Sequence, residues 1–220
     1  AVAHGEDPEP YTVTAVTNGA AMRIAPIGCL FPCDDLEGLA AYVFRISEAT
    51  HKTDVALGGA GMVAAAVSAA LDGRSWEGIM DAAMDCYAMA AHYGAQTYSA
   101  SPKARLALAL ELARRHRADA EAFSLSVYEG IGTTTLMSEA VPAALAMAYY
   151  FKEPHACSLA CANLGGDTDT IGAMAVAVCG AKAGAAVMDP ALIAVLEQSN
   201  DVDFGRYADS LLAHRGRVYC

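Results

Sequence analysis

The chain has 220 residues, a length that suits one substantial hydrophobic core, so we expect a single domain over residues 1–220. Hydrophobic residues make up 55 % of it and aromatic residues only 7 %, a balance that favours closely packed helices over a sheet. The net charge of −11, with mostly isolated basic residues, argues against polymeric nucleic acid as a partner.

Helical periodicity dominates the chain and predicts an all-α fold. Residues 1–17 are polar and contain proline, which predicts a loop with a short extended piece at 11–16. Asp34 is predicted to cap a helix that ends near Thr50. Further helices are predicted at 53–71, 75–93, 102–117, 137–151, 154–163, 168–187, 190–199 and 202–214.

Residues typical of helix starts and helix ends support these boundaries. Ser75 and the Ser101-Pro102 pair are predicted starts, whereas Gly73 and Gly94 are predicted stops. Small residues crowd 57–62 and 172–184, which predicts helices that cross closely and are buried. Because the apolar runs end well before the roughly 20 residues that a bilayer-spanning helix needs, no membrane span is expected.

The seven cysteines favour reduced thiols and a cytoplasmic location. Their number is odd, and no basic targeting segment opens the chain. A zinc site is the alternative for the pairs spaced four apart. Without a flanking His or a CxxC turn, small buried residues on one helix face are the favoured interpretation. The spaced pairs are Cys29 with Cys33 and Cys157 with Cys161, and Cys86, Cys157, Cys161 and Cys179 lie within apolar runs.

The run Gly165-Gly166-Asp167-Thr168-Asp169-Thr170 carries the strongest chemical signal. Asp167, Asp169 and Thr170 offer hard oxygen ligands that suit Mg²⁺, Mn²⁺ or Ca²⁺. The same residue types also cap helices, which is the alternative. Two Asp and two Thr exceed what one cap needs, and neighbouring carboxylates repel unless a cation lies between them. A metal site is therefore the favoured interpretation.

Four segments of the chain carry a family resemblance. The two most specific are Asn163-Leu164-Gly165-Gly166-Asp167-Thr168-Asp169-Thr170-Ile171-Gly172-Ala173-Met174 and Thr17-Asn18-Gly19-Ala20-Ala21-Met22-Arg23-Ile24-Ala25-Pro26-Ile27-Gly28. The weaker two are Thr50-His51 and Ser138-Glu139-Ala140-Val141-Pro142-Ala143-Ala144-Leu145. In their order along most of the chain, these segments resemble the ADP-ribosylglycohydrolase family.

This resemblance implies an orthogonal multi-helix bundle whose two-magnesium centre, with Mn²⁺ as an alternative, hydrolyses a glycosidic bond at ribose C1. The expected partner is an ADP-ribosylated protein or a small ADP-ribosyl or ribosyl compound. We expect a monomer without a redox or organic cofactor. The implied metal ligands are Asp167, Asp169 and Thr170. The implied substrate-binding residues are Asn18 and Gly19 with Met22 beneath them, His51, and Gly132, Thr133 and Thr134 within the loop 130–134.

Each substrate-binding residue also has a structural interpretation. Asn18-Gly19 is a common turn pair, and Arg23 is expected to be a buried ion-pair partner. His51 near a helix end would interact with the helix dipole. The run Gly132-Thr133-Thr134-Thr135 could introduce the next helix.

The chain departs from the family pattern in two places. A Gly-Asp-Ala-x-Gly segment followed by Glu, and a Thr-Asp-Asp segment, precede the Asn-Gly motif in the family and do not occur here. The expected acid/base carboxylate is therefore unassigned, and we expect the chain to be the C-terminal portion of a longer family domain. Cys33-Asp34-Asp35 is a poor substitute, because it follows Asn18 and Asp34 is predicted to cap a helix.

Three functions remain open at this point. In the first, the chain is part of an ADP-ribosyl hydrolase. In the second, it is an inactive relative that binds ADP-ribose or has a structural, crystallin-like role. In the third, it is a hydrolase of another ribosyl compound. The leaving group, whether Arg, Ser or a small molecule, is undetermined by the sequence.

Overall fold

The computed structural model describes residues 7–217, and within them the secondary structure is helical. No β-strand occurs in this part of the chain, which has only the isolated bridges Thr17 to Leu136 and Thr53 to Ala95. The all-α prediction is confirmed. The α-helices are α1 Glu9–Thr12, α2 Ala25–Leu30, α3 Leu36–Ser47, α4 Asp54–Leu71, α5 Trp76–Ala91, α6 Pro102–Arg115, α7 Ala120–Ser126, α8 Met137–Phe151, α9 Pro154–Ala162, α10 Thr168–Ala183, α11 Pro190–Asn200 and α12 Phe204–His214. Short 3₁₀ turns cover Ala21–Arg23 and Ala185–Val187, and a π-helical turn covers Val127–Ile131.

Helix α4 lies at the centre, with 16 of its 18 residues buried. It packs against α2, α3, α5, α8 and α10. Its glycines face different neighbours: Gly58 lies against the Tyr87 ring of α5, Gly59 against Met137 at the start of α8, and Gly61 against Ala90 of α5. A Cβ at any of them would overlap the facing side chain. The predicted close crossing at 57–62 is therefore confirmed.

Most of the predicted helix caps are confirmed, and one cap lies one residue later than predicted. Ser75 accepts a hydrogen bond from the Gly78 amide, and Ser101 accepts one from Ala104. The predicted cap at Asp34 is wrong, because Asp35 accepts the bond from the Gly38 amide and α3 begins one residue later. Helix α10 ends at Ala183, before the predicted end at residue 187, because Gly184 adopts a positive φ of 79°.

The shortest elements were not predicted. The extended piece expected at 11–16 is wrong in its first part, since Tyr11 lies in the single turn of α1. Helices α2 and α7 and the π-helical turn were also missed. Elements of one or two turns are too short to show a hydrophobic period, so their helicity depends on tertiary contacts.

Helix α4 is also the only helix in residues 7–217 that is long and apolar enough to cross a membrane. Its mean hydropathy is 1.6, but 89 % of it is buried among the other helices. The core helix of a bundle has the same composition, so this helix alone is weak evidence of a span.

The six cysteines in the described part of the chain are free thiols. Cys157 and Cys161 are buried on α9, as predicted for small core residues. Burial raises the pKa of the Cys86 thiol to about 12. Cys29 and Cys33 do not share a helix face, because α2 ends at Leu30. Cys220 lies outside the described residues.

Helices α11 and α12 contribute no buried residue. The chain beyond α12 is held by Arg215, whose guanidinium donates to the carbonyl oxygens of Cys29 and Phe31 at 2.9 and 2.8 Å. Arg215 also pairs with Asp72 at 2.6 Å. This ion pair lies at the C-terminal end of α4.

We expect Gly28→Ala to destabilise the protein by about 1–3 kcal/mol, because a methyl group at this position would overlap the Ala64 carbonyl oxygen of α4. The matched control is Gly180→Ala in α10, where a Cβ meets no atom within 4 Å. Since alanine favours a helix by about 1 kcal/mol over glycine, this control should be neutral or stabilising. Urea unfolding followed by circular dichroism measures both changes, and equal stability of the two variants would contradict the packing described for α2.

Candidate functional site

Three chain segments meet where the most specific sequence motifs predicted a site. The Asn18 amide nitrogen donates to the Thr135 carbonyl oxygen at 2.9 Å, and the Asp167 amide nitrogen donates to the Thr133 carbonyl oxygen at 2.8 Å. The Asn18 side chain links the first and third of these segments directly, because its Nδ2 donates to Asp167 Oδ2 at 2.6 Å. Residues 149 positions apart in sequence thus form a direct contact.

The turn before α10 has a backbone that requires glycine. Gly165 and Gly166 have φ angles of 89° and 78°, in the left-handed region that other residues rarely adopt. A Cβ at Gly166 would also overlap the carbonyl and hydroxyl oxygens of Thr133. The double glycine therefore lets the turn reach Thr133 and directs Asp167 towards Asn18.

Asp167 occupies the N-cap position of α10, but its side chain accepts no capping hydrogen bond from the helix. Its Oδ2 accepts from Asn18 instead. The alternative that Asp167 is an ordinary side-chain cap is therefore wrong. Asp169 lies in the first turn of α10 and is exposed, while Thr170 is half-buried.

These three residues fit part of a shell for one hard cation. Two carboxylates and a hydroxyl from a single turn are suitable oxygen donors. Within residues 7–217, however, no three His, Cys, Asp or Glu side chains come together in a group that could hold a metal. Asp35 is used as the cap of α3, and Asp34 is exposed. The described residues therefore do not supply the carboxylates that two cations would need.

His51 packs directly on the Asn18-Gly19 segment. A Cβ at Gly19 would be 2.7 Å from His51 Cε1. The ring nitrogens Nε2 and Nδ1 lie 3.1 and 2.9 Å from the hydroxyl oxygens of Thr17 and Thr50. The His51 backbone amide donates to the Ser47 carbonyl oxygen at 2.8 Å, so this residue caps the C-terminal end of α3 while its ring packs on the Asn18-Gly19 segment. The predicted cap at the helix end is therefore confirmed for the backbone, and a substrate contact by the ring remains a prediction.

The charge near His51 comes from Arg23. The expectation of a buried ion pair for Arg23 is wrong, because its side chain is exposed and donates to the Thr50 hydroxyl at 2.6 Å. Burial, reinforced by the positive charge of Arg23, lowers the pKa of His51. The uncharged imidazole is therefore favoured in the folded protein.

The loop 132–136 is built differently from the simple binding loop that was expected. Thr133 is buried and contacts Gly166, while the Thr134 hydroxyl donates to Glu139 Oε2 at 2.6 Å. Gly132 has a φ of 92°, and a Cβ there would lie 2.6 Å from the Glu139 carboxylate. Substrate contacts by these residues remain a prediction, and the Thr134 hydroxyl already has a protein acceptor.

Two other features of the site differ from the sequence interpretation. Met22 was expected to pack beneath Asn18 and Gly19, but it is 51 % exposed. Tyr128 was not singled out, yet a Cβ at Gly165 would lie 3.0 Å from its ring. Tyr128 also borders a recess of about 450 Å³, next to Asn163 and Leu164. An aromatic residue in a π-helical turn gives no specific sequence signal for such a position.

Comparison with known proteins identifies the family to which this chain belongs. A family model described as ADP-ribosylglycohydrolase matches residues 1–219. The chain is also 46 % identical over 202 residues to a protein of Escherichia coli strain K12 described as uncharacterized protein YegU. That match covers 91 % of this chain and 60 % of the relative, so the chain spans less than two thirds of the relative's length. On this evidence the chain belongs to the ADP-ribosylglycohydrolase family.

Proposed function

We propose that this chain takes part in the magnesium-dependent hydrolysis of a glycosidic bond at ribose C1 of an ADP-ribosyl compound. Family membership supports a glycohydrolase-type enzyme. The observation that carries the proposal is the bond from Asn18 to Asp167, which joins two family motifs at one point. The Asp167 carboxylate makes no capping bond to α10 and is turned towards Asn18, which supports a role outside helix capping.

In this proposal each residue has a limited task. Asp167, Asp169 and Thr170 would hold a divalent cation, with Asn18 fixing the orientation of the Asp167 carboxylate. Such a cation, when bound, supplies positive charge that stabilises substrate oxygens. Fixing donors at these positions would lower the cost of orienting the ribose. The recess beside Tyr128 is a candidate place for an aromatic part of the substrate.

Glu139, the carboxylate nearest to the loop 132–136, is unsuited to donate a proton at neutral pH. Burial raises the pKa of Glu139, but hydrogen bonds from Thr134 and the charge of Arg105 outweigh that effect and hold it below its usual value. A general acid needs a raised pKa. We therefore assign no general-acid role to Glu139.

An ADP-ribose-binding protein without catalysis is the second candidate. One observation favours this candidate: within residues 7–217, no group of three His, Cys, Asp or Glu side chains could hold a metal ion. Such a protein would retain the Asn18 contact and bind the ribosyl ligand without turnover.

The metal role predicts that Asp169→Ala weakens Mg²⁺ binding more than about tenfold, or about 1.4 kcal/mol. Isothermal titration calorimetry with Mg²⁺ measures this affinity, and circular dichroism should show unchanged helix content. Glu37→Ala is the matched control, since Glu37 is also a first-turn carboxylate, in α3. Equal Mg²⁺ affinity of the Asp169 variant and the wild type would refute this metal site.

The hydrolase proposal predicts release of the ribosyl product from at least one substrate in a panel of Arg-linked and Ser-linked ADP-ribosyl peptides and small ribosyl compounds. Asn18→Ala should lower kcat/KM at least about tenfold, because Asp167 loses the donor that orients it. Asn200→Ala is the control, as that side chain donates to the Leu196 carbonyl oxygen within α11, away from the proposed site. Chromatography detects the product. Binding of ADP-ribose without turnover of any substrate would favour the second candidate.

The lowered pKa of His51 predicts a pH-dependent stability. The unfolded chain takes up a proton near the usual pKa of about 6.5, whereas the folded protein resists protonation until a lower pH. His51 therefore contributes stability above that value, which is lost as the pH falls below about 6.5. Urea unfolding across this range should show a steeper decline for the wild type than for His51→Gln. Parallel curves would contradict the described environment of His51.

A further inference from the structure

We propose that Glu139 and Arg105 are positioning residues, which set the relative placement of Asn18 and Asp167 by bracing the loop 132–136 between them. This inference rests on the proposed function for its consequence in catalysis. The contacts themselves are a property of the folded chain. Neither residue touches Asn18 or Asp167 through a described hydrogen bond, so any effect must pass through the loop.

Glu139 holds the loop from the α8 side. Its Oε2 accepts from both the amide nitrogen and the hydroxyl of Thr134, at 3.2 and 2.6 Å. The carboxylate also fills the space beside Gly132, where a Cβ would overlap it. Glu139 thus contacts the loop on both sides of Thr133, at Gly132 and at Thr134.

Arg105 holds both ends of the same loop from α6. Its Nη1 lies within 3.3 Å of the Ile131 carbonyl oxygen, 3.2 Å of the Ser138 carbonyl oxygen and 3.5 Å of Glu139 Oε1. The two side chains are 30 % and 18 % exposed, so solvent only partly screens their attraction. One guanidinium therefore joins the residue before the loop to the first turn of α8.

The braced loop in turn positions the site through its backbone. Thr133 presents its carbonyl oxygen to the Asp167 amide, and Thr135 presents its own to the Asn18 amide. Thr133 is the one buried residue of this loop, whereas Thr134, Thr135 and Leu136 are exposed. A loop with a single buried side chain should lose part of its placement when its polar contacts are removed.

Amide hydrogen exchange of the full chain tests this proposal without any ligand. In Glu139→Ala we expect the amides of Thr134, Asp167 and Asn18 to exchange at least about tenfold faster, with the amides of α4 unchanged. Glu139→Gln retains an oxygen that can accept from Thr134, so it should restore most of the protection. Unchanged exchange at Asp167 and Asn18 in Glu139→Ala would overturn the proposal, as would a uniform increase throughout the chain in both variants.

Asp72→Asn is the matched control. Asp72 also accepts from a backbone amide, that of Cys33 at 2.7 Å, and pairs with Arg215, the two side chains being 30 % and 17 % exposed. Asp72 follows the C-terminus of α4, whereas His51, which packs on the candidate site, precedes its N-terminus. The 18 residues of α4 span about 27 Å, so Asp72 lies at the opposite end of this helix from the site. Loss of this ion pair should leave the Asn18 and Asp167 amides unaffected. Equal acceleration of those amides in Asp72→Asn would overturn the positioning role.

Titration with Mg²⁺ and with ADP-ribose separates this inference from the proposed function. If the wild type binds them, Glu139→Ala should weaken binding about threefold or more and Glu139→Gln much less. Equal affinity in all three would overturn the functional part of the inference. If the wild type binds neither probe, the proposed function fails, and the exchange measurement still decides whether the brace sets the placement of Asn18 and Asp167.

Discussion

The hydrogen bond from the Asn18 amide to the Asp167 carboxylate is the contact around which the candidate site is organised. Asn18 is 5 % exposed, so water competes little for this bond. A neutral amide orients the carboxylate without cancelling its charge, whereas an arginine or lysine would neutralise it. The Asp167 charge therefore remains available to a cation. The orientation of its carboxylate is set by Asn18, which is distant in sequence.

That contact depends on how closely the helices approach α4. Gly59 of α4 lies against Met137, the first residue of α8, so the start of α8 sits directly on the central helix. The Met137 amide donates to the Val16 carbonyl oxygen at 2.9 Å, which draws the segment before Asn18 to the same place. Helix α10 also packs on α4. Small residues in the core thus allow separate segments to converge at one end of the bundle.

The long helices could be predicted from sequence, and so could the motifs that carry Asn18 and Asp167, but the contacts between these motifs could not. Periodicity and caps identify helices such as α4 because each signal is local. The crowding of Asp and Thr after two glycines likewise identified the Asp167 turn. By contrast, Arg105 is one basic residue on a polar helix, and its importance depends on carbonyl oxygens 26 and 33 positions away. Asp34 and Asp35 are equally good caps locally, and the sequence alone does not distinguish them, whereas the structure shows Asp35 in the capping position.

The repulsion between Asp167 and Asp169 does not by itself require a cation. Both carboxylates lie at the N-terminus of α10, where the positive end of the helix dipole favours negative charge. The Asn18 amide donates to one of them as well. These two effects offset part of the repulsion within the protein. Under the proposed function, a divalent ion bound at this turn would offset more of it and would act on the substrate. Because such an ion binds the folded chain, stability as well as affinity and turnover would report its presence.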